Sequence, residues 1–219
     1  MLDGTVKKLT DPLFNGIARY LARAGISANV ITLTAVIIGL AVLIPLALQN
    51  YMLALALIAG NRLLDALDGA VARRNGITDL GGFFDVVGDF IFFGAVVLGF
   101  ALADPQANAL AAAWLLFAFM GAEASFLAYA ALAEKLHFHS ASQGQKSIFF
   151  LGGLVEGAET VTAFVLACIF PQWFPWIAVL FGVLCWMTTG ARITVAIFTL
   201  SSGEPPPGAE IEPDEDPIA

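Results

Sequence analysis

Four aspartates, Asp65, Asp68, Asp85 and Asp89, lie inside two long apolar runs of this chain. Asp65 and Asp68 are spaced i, i+3; Asp85 and Asp89 are spaced i, i+4. On helices each pair shares one face. The first run ends at Arg73-Arg74, the second begins near Asp79, and Asn75-Gly76 between them has the chemistry of a turn. At helical rise, Asp68 and Asp65 stand roughly 8 and 12 Å from Arg73, and Asp85 and Asp89 roughly 9 and 15 Å from Asp79. Two antiparallel helices would therefore bring the carboxylates to matching levels. A carboxylate at membrane depth is costly and marks a functional site. Four together require positive compensation, most simply divalent metal. Magnesium or manganese accepts such oxygen ligands and bridges them to substrate phosphates. Gly69, Ala72, Gly81 and Gly82 leave little bulk beside the carboxylates, which gives a phosphate or nucleotide room to approach the backbone.

The elements that must carry these residues are membrane helices. Of 219 residues, 59% are hydrophobic and 13% charged, with a mean hydropathy of +0.84. That composition suits an all-α integral membrane protein and not a soluble core. Six apolar runs, at 29–48, 51–73, 80–103, 107–133, 148–170 and 176–199, are each long enough for a hydrocarbon core that needs about 20 residues. Ahead of them, Val6, Leu9, Leu13, Ile17, Tyr20 and Leu21 share one helical face, with Lys7, Lys8, Asp11, Asn15 and Arg19 on the other. This pattern predicts an interfacial amphipathic helix. The expected organisation is a cytoplasmic amphipathic helix over 1–28, a six-helix transmembrane catalytic domain over 29–200, and a disordered, Pro-rich acidic tail over 201–219. Cys168 and Cys185 lie in apolar runs and read as small buried hydrophobes. The first 25 residues lack an apolar core long enough for a cleavable signal peptide.

Charge sets the orientation. Lys7, Lys8, Arg19, Arg23, Arg73, Arg74, Lys135 and Lys146 all fall on one side of six alternating spans, while the opposite connections at 49–50, 104–107 and 171–175 carry no Lys or Arg. The positive side is expected to be cytoplasmic, together with both termini and the aspartates. The expected location is a bacterial inner (cell) membrane. The net charge of −8 says little about partners, since Glu204, Glu210, Glu212, Asp214, Glu215 and Asp216 of the tail supply much of it. No basic surplus suits nucleic acid.

The pattern D-x-x-D-G-x-x-A-R, a spacer, then G-x-x-x-D-x-x-x-D is carried by Asp65, Asp68, Gly69, Ala72, Arg73, Gly81, Asp85 and Asp89. It resembles the signature of the CDP-alcohol phosphotransferases. The spacer, Arg74 to Leu80, has one residue fewer than is usual in that family, and the difference falls in the predicted turn. Gly25 to Thr32, GISANVIT, resembles the family's entry into its first span, with Ala28 where Pro is common. The resemblance implies transfer of a phosphatidyl group from CDP-diacylglycerol to a small or lipid alcohol, with release of CMP. It further implies two divalent ions, magnesium or manganese, on Asp65, Asp68, Asp85 and Asp89. Asp89 takes the position of the general base, and Gly69, Ala72, Arg73 and Gly81 those of the CDP donor site. Members of the family are commonly homodimers.

Outside the motif, Glu156 and Glu159 are expected roughly 12 to 17 Å into the fifth span if it starts near Ile148. With Arg192 they are candidates for the acceptor pocket; the alternative is structural pairing of the glutamates with Arg62 or Arg192. Arg62 is expected to pair with Asp65 or Glu123. Acids outnumber bases beyond the motif, which leans toward a neutral polyol or an amino alcohol as acceptor. Two other functions share some of these features. One is transfer from CDP-choline or CDP-ethanolamine to diacylglycerol, which uses the same motif. The other is cation transport, whose sites typically lie near the midplane in broken helices; here the carboxylates lie nearer the inner face, beside Arg73. The orientation is checked by cysteine labelling with Cys168 and Cys185 replaced: a cysteine at Ala107 should react from outside the cell, and one at Ser140 only after the membrane is opened.

Overall fold

The computed structural model describes residues 14, 16–136, 138–140, 155–202 and 209–211. Helix α1 covers 16–23, and α2 (Ala28–Ala41) follows. The helix breaks at Val42 and resumes as α3 (Leu43–Ala47). Pro45 lies in this second piece and has no N–H to return to the carbonyl of Ala41 four residues back, which accounts for a break here. Helix α4 (Tyr51–Asn75) opens with the Asn50 side chain accepting from the N–H of Leu53 and stops at Gly76, whose φ of 101° lies in the region that favours glycine. Helix α5 (Asp79–Ala103) opens with Thr78 Oγ1 accepting from the N–H of Gly81 at 3.1 Å. Helix α6 (Pro105–Lys135) is capped by Asp104, with Pro105 in its first turn. Helix α7 (Gly157–Ile169) leads through a 3-10 turn at Pro171–Trp173 into α8 (Phe174–Ser202). Strands β1 (Phe138–Ser140) and β2 (Ala209–Ile211) form one short antiparallel pair.

The helical class is as expected. Four stretches are long and apolar enough to cross a membrane: Ala28–Ala47, Asp79–Ala103, Pro105–Lys135 and Pro171–Ser202. The six-span expectation is thus met in part by that measure. Helix α4 has the length, at 25 residues, but carries Arg62, Asp65, Asp68, Arg73 and Arg74. Helix α7 is described over 13 residues, and the expected start of its span at 148 lies outside the described residues. So do most of the predicted amphipathic segment and, apart from β2 and the end of α8, the acidic tail. Within α1, Ile17 and Tyr20 are exposed, while Phe14 and Ala18 pack with Ile31, Ala70 and Val71. The first helix is therefore docked on α2 and on the C-terminal half of α4. Large apolar side chains are exposed along the bundle, among them Leu110, Met52 and Trp176, as lipid contact requires.

Small residues bring the helices that frame the aspartates close together. A Cβ on Gly88 of α5 would stand 2.5 Å from Val36 Cγ2 of α2, and one on Gly99 would stand 2.7 Å from Leu46 Cβ. A Cβ on Gly39 would meet Asn61 Nδ2 of α4 at 2.9 Å and Phe92 of α5 at 3.2 Å. Helix α2 consequently packs on both α4 and α5, whereas α4 and α5 meet each other far less. Phe92, Phe93, Phe119 and Phe164 form edge-on and tilted contacts in the main core. Cys168 and Cys185 are free and buried in that core, as expected. Gly88→Ala should destabilise the protein by about 1–3 kcal/mol through overpacking. Thermal unfolding in detergent should show Gly88→Ala/Val36→Ala to be more stable than Gly88→Ala, because the second change removes the methyl group in the way.

Candidate active site

Helix α4 supplies Asp65 and Asp68, and α5 supplies Asp85 and Asp89. The level matching foreseen from helical rise is realised for three of them. Asp65, Asp68 and Asp85 each present a carboxylate oxygen, and the three atoms lie within 4.8 Å of one another. Two oxygens on opposite sides of one magnesium ion stand about 4.2 Å apart, and paired ions at about 3.5–4 Å extend that reach. The spacing therefore suits a divalent cation site. Asp68 is 6% exposed, and its Oδ2 is buried without a hydrogen-bond partner. A carboxylate oxygen buried in that way costs several times what an ordinary hydrogen bond returns. A bound cation removes the penalty, so the residues present fit the metal that the sequence implied.

Asp89 is arranged differently. Its Oδ1 accepts from Arg62 Nη2 at 2.6 Å, and it is not one of the three clustered carboxylates. The set of four metal ligands is thus divided in this structure into a cluster of three and an ion-paired fourth. Arg62 also lies 3.7 Å from Asp65 Oδ2 and 4.7 Å from the centre of the Phe92 ring. Of the two partners expected for Arg62, Asp65 is present at longer range and Glu123 is not one. Asn61, invisible to the motif, holds the arginine in place. It is 2% exposed, accepts from Arg62 Nε at 2.8 Å and donates through Nδ2 to the carbonyl of Ala35 at 2.8 Å. An asparagine beside an arginine at membrane depth was the available signal.

The other motif residues have local roles visible in the structure. A Cβ on Gly69 would stand 3.3 Å from Arg73 Nη1, so the arginine extends back along α4 across the glycine one turn earlier. A Cβ on Gly81 would meet Asn29 Oδ1 and Thr78 Oγ1, each at 3.0 Å. Ala72 lies beside Arg73 in the last turns of α4. At Gly69 and Gly81 the room left by the missing side chain is taken by polar groups: Arg73 at the first, Asn29 and Thr78 at the second.

Glu156 and Glu159 do not sit deep in a continuous fifth helix. Helix α7 begins at Gly157, Glu156 is its N-cap, and the two glutamates form a capping box, with Glu159 Oε2 accepting from the N–H of Glu156 at 3.2 Å. The helix expected from 148 is not continuous through Val155 and Glu156, and the glutamates satisfy the backbone of the helix they begin. The N–H of Val155 donates to Thr188 Oγ1 at 3.3 Å, which sets this start against α8 one turn before Arg192. Arg192 is 8% exposed, donates from Nη1 to the carbonyl of Ala122 at 2.9 Å and lies 5.5 Å from the Phe126 ring centre; its Nε has no hydrogen-bond partner. Glu156 lies within its electrostatic range. Glu123 lines a different cavity, of about 300 Å³, with Phe90, Gly94, Phe119 and Leu127.

Similarity to known proteins agrees with this geometry. The sequence profile of the CDP-alcohol phosphatidyltransferases matches residues 26–189. The chain is 50% identical to the inner membrane protein YnjF of Escherichia coli over 202 residues, which is 92% of this chain and 98% of that protein. It is 37% identical to the archaetidylinositol phosphate synthase of Pyrococcus horikoshii over 103 residues, or 47% of this chain and 54% of that one. Its fold is similar to that of the phosphatidylinositol phosphate synthase of Mycobacterium tuberculosis. The TM-score is 0.67 against the crystal structure with CDP-DAG bound, at 22% identity, covering 84% of this chain and 92% of that one. Against the complex with manganese and citrate it is 0.61, at 23% identity, covering 83% and 87%.

The protein is thus an integral membrane member of the CDP-alcohol phosphatidyltransferase family. Asp68→Asn should leave insertion intact and weaken divalent-ion binding by at least about tenfold, since loss of a mere outer-shell partner already costs that much. Manganese titration followed by electron paramagnetic resonance reads the change; unaltered binding would place the ion elsewhere.

Proposed function

We propose that this protein transfers the phosphatidyl group of CDP-diacylglycerol to an alcohol, releasing CMP, at the space between α4 and α5. The observation that carries this reading is the three-carboxylate cluster with its unpartnered Asp68 oxygen, with Arg73 lying across Gly69 on the same helix, in a chain of this family. The CDP-DAG complex and the manganese complex of the structurally similar synthase support it.

Asp65, Asp68 and Asp85 would hold the divalent ions, with Asp89 joining them or serving the acceptor. When bound, the ions neutralise the pyrophosphate and stabilise the departing phosphate charge. Arg73 contacts donor phosphate with a fork suited to two oxygens. Gly69, Ala72 and Gly81 admit the cytidine nucleotide. The acceptor oxygen attacks the phosphorus that carries diacylglycerol, the bond from that phosphorus to the bridging oxygen of CMP breaks, and the acceptor proton passes to Asp89. Arg62 fixes the orientation of Asp89 while Asn61 fixes that of Arg62. Glu156, Glu159 and Arg192 border the acceptor pocket, for which the docking of the α7 start on α8 is the support. The protein works as a homodimer in a bacterial inner membrane, with the site open to the cytoplasm.

The acceptor is a neutral polyol or an amino alcohol. A second reading, a phosphorylated polyol, is favoured by the likeness to the archaetidylinositol phosphate synthase and by Arg192 with its unpartnered Nε. Purified protein supplied with labelled CDP-diacylglycerol and a panel of alcohols, free and phosphorylated, separates the two. Metal-dependent CMP release should appear with one acceptor class. Asp89→Asn should reduce kcat by at least about a hundredfold while donor binding in magnesium persists. Arg73→Ala should instead weaken donor binding. Glu156→Gln and Glu159→Gln, which keep most of the capping geometry, should raise KM for the alcohol alone. Absence of metal-dependent CMP release with every acceptor overturns the proposal.

A further inference from the structure

Away from the aspartates, Arg19 and Arg23 of α1 and Arg74 at the end of α4 converge on one open cavity of about 460 Å³, with Ala22 as its remaining lining residue. All three arginines are exposed. Among the described residues no carboxylate pairs with any of them. One arginine in the last turn of a helix is explained by the helix dipole and by the cytoplasmic bias of positive charge. That bias does not by itself place three of them, from two helices, around one cavity. Arg19 and Arg23 are i, i+4 neighbours, a spacing at which like charges destabilise a helix. The apolar contacts of Phe14 and Ala18 with Ala70 and Val71 hold α1 against α4, so Arg19 and Arg23 line the same cavity as Arg74.

We infer that this cavity binds a phosphate group, which bridges α1 to the inner end of α4. Guanidinium groups take phosphate oxygens in pairs, and three of them supply the charge and the donors that a phosphomonoester or phosphodiester takes. The same chemistry is offered by an anionic phospholipid head group of the inner leaflet and by a soluble phosphate. The occupant ties the first helix to the helix that carries Asp65, Asp68 and Arg73.

The test uses the full chain without divalent ion, so that the aspartates do not contribute. Inorganic phosphate is titrated into protein in detergent and followed by phosphorus NMR line broadening. In parallel, thermal unfolding is measured in phosphatidylcholine nanodiscs with and without phosphatidic acid. At least one probe should bind or stabilise the wild type, and Arg19→Gln/Arg23→Gln should need roughly thirtyfold more of it, about fivefold for each arginine lost. Arg19→Lys/Arg23→Lys should retain most of the response, and Arg74→Gln supplies an independent loss should the double variant fold poorly. Manganese binding at the aspartates should remain unaltered in the α1 variants, which separates this site from the proposed reaction. A response to phosphatidic acid alone assigns the occupant to the lipid, and a response to inorganic phosphate alone assigns it to a soluble anion. No response of the wild type to either probe, or equal responses of wild type and glutamine variants, overturns the inference.

Discussion

Carboxylates gathered in a low-dielectric bundle repel one another and resist the loss of water, so the site exists only where positive charge answers them. Arg62 is the protein's own answer: it takes Asp89 at 2.6 Å, reaches Asp65 at 3.7 Å and lies against Phe92. A half-buried arginine needs its remaining donors satisfied, and Asn61 accepts from its Nε while tying itself to the backbone of α2. The chain Ala35–Asn61–Arg62–Asp89 thus runs across three helices. Asp65, Asp68 and Asp85 stay beyond the strongest part of that pairing, and Asp68 keeps a buried oxygen with no protein partner. Charge balance within the protein is closest for Asp89 and partial for Asp65, and the three clustered carboxylates fit a cation.

Backbone approach governs where those charges stand. Glycines at 39, 88 and 99 bring α2 and its continuation α3 against α4 and α5, at separations that a methyl group would disturb. Helix α2 therefore acts as the common wall, and α4 and α5 converge on it more than on each other. Had α4 and α5 packed side by side throughout, their facing aspartates would have been pressed together with no volume for an ion or phosphate. Docking of Phe14 and Ala18 on Ala70 and Val71 supports the same helix from α1.

The pair Glu156 and Glu159 shows how a polar residue at apparent depth can have a structural task. Their i, i+3 spacing predicts a shared face on a helix, but the same spacing is that of a capping box, S/T-x-x-E in its common form and E-x-x-E here. Hydropathy cannot distinguish the two, because the residues on both sides are apolar in either case. Only the position of the helix start does, and the hydrogen bond from Val155 to Thr188 places that start against α8.

The sequence alone determined the helical class, the family signature and which aspartates share a face, because helical periodicity and the cost of charge in an apolar run are local properties. It also marked Cys168 and Cys185 as buried and the turn at Asn75-Gly76 as the hinge between the two halves of the motif. Tertiary structure decided what those residues meet. Asp65, Asp68 and Asp85 cluster while Asp89 turns to Arg62, a division that four equivalent carboxylates in a motif do not reveal. Asn61 matters through a carbonyl 26 positions away, and the arginines at 19, 23 and 74 share a cavity only because α1 folds back onto α4. Such contacts depend on crossing helices and on close approach at glycine, and residue spacing along one helix carries no record of either.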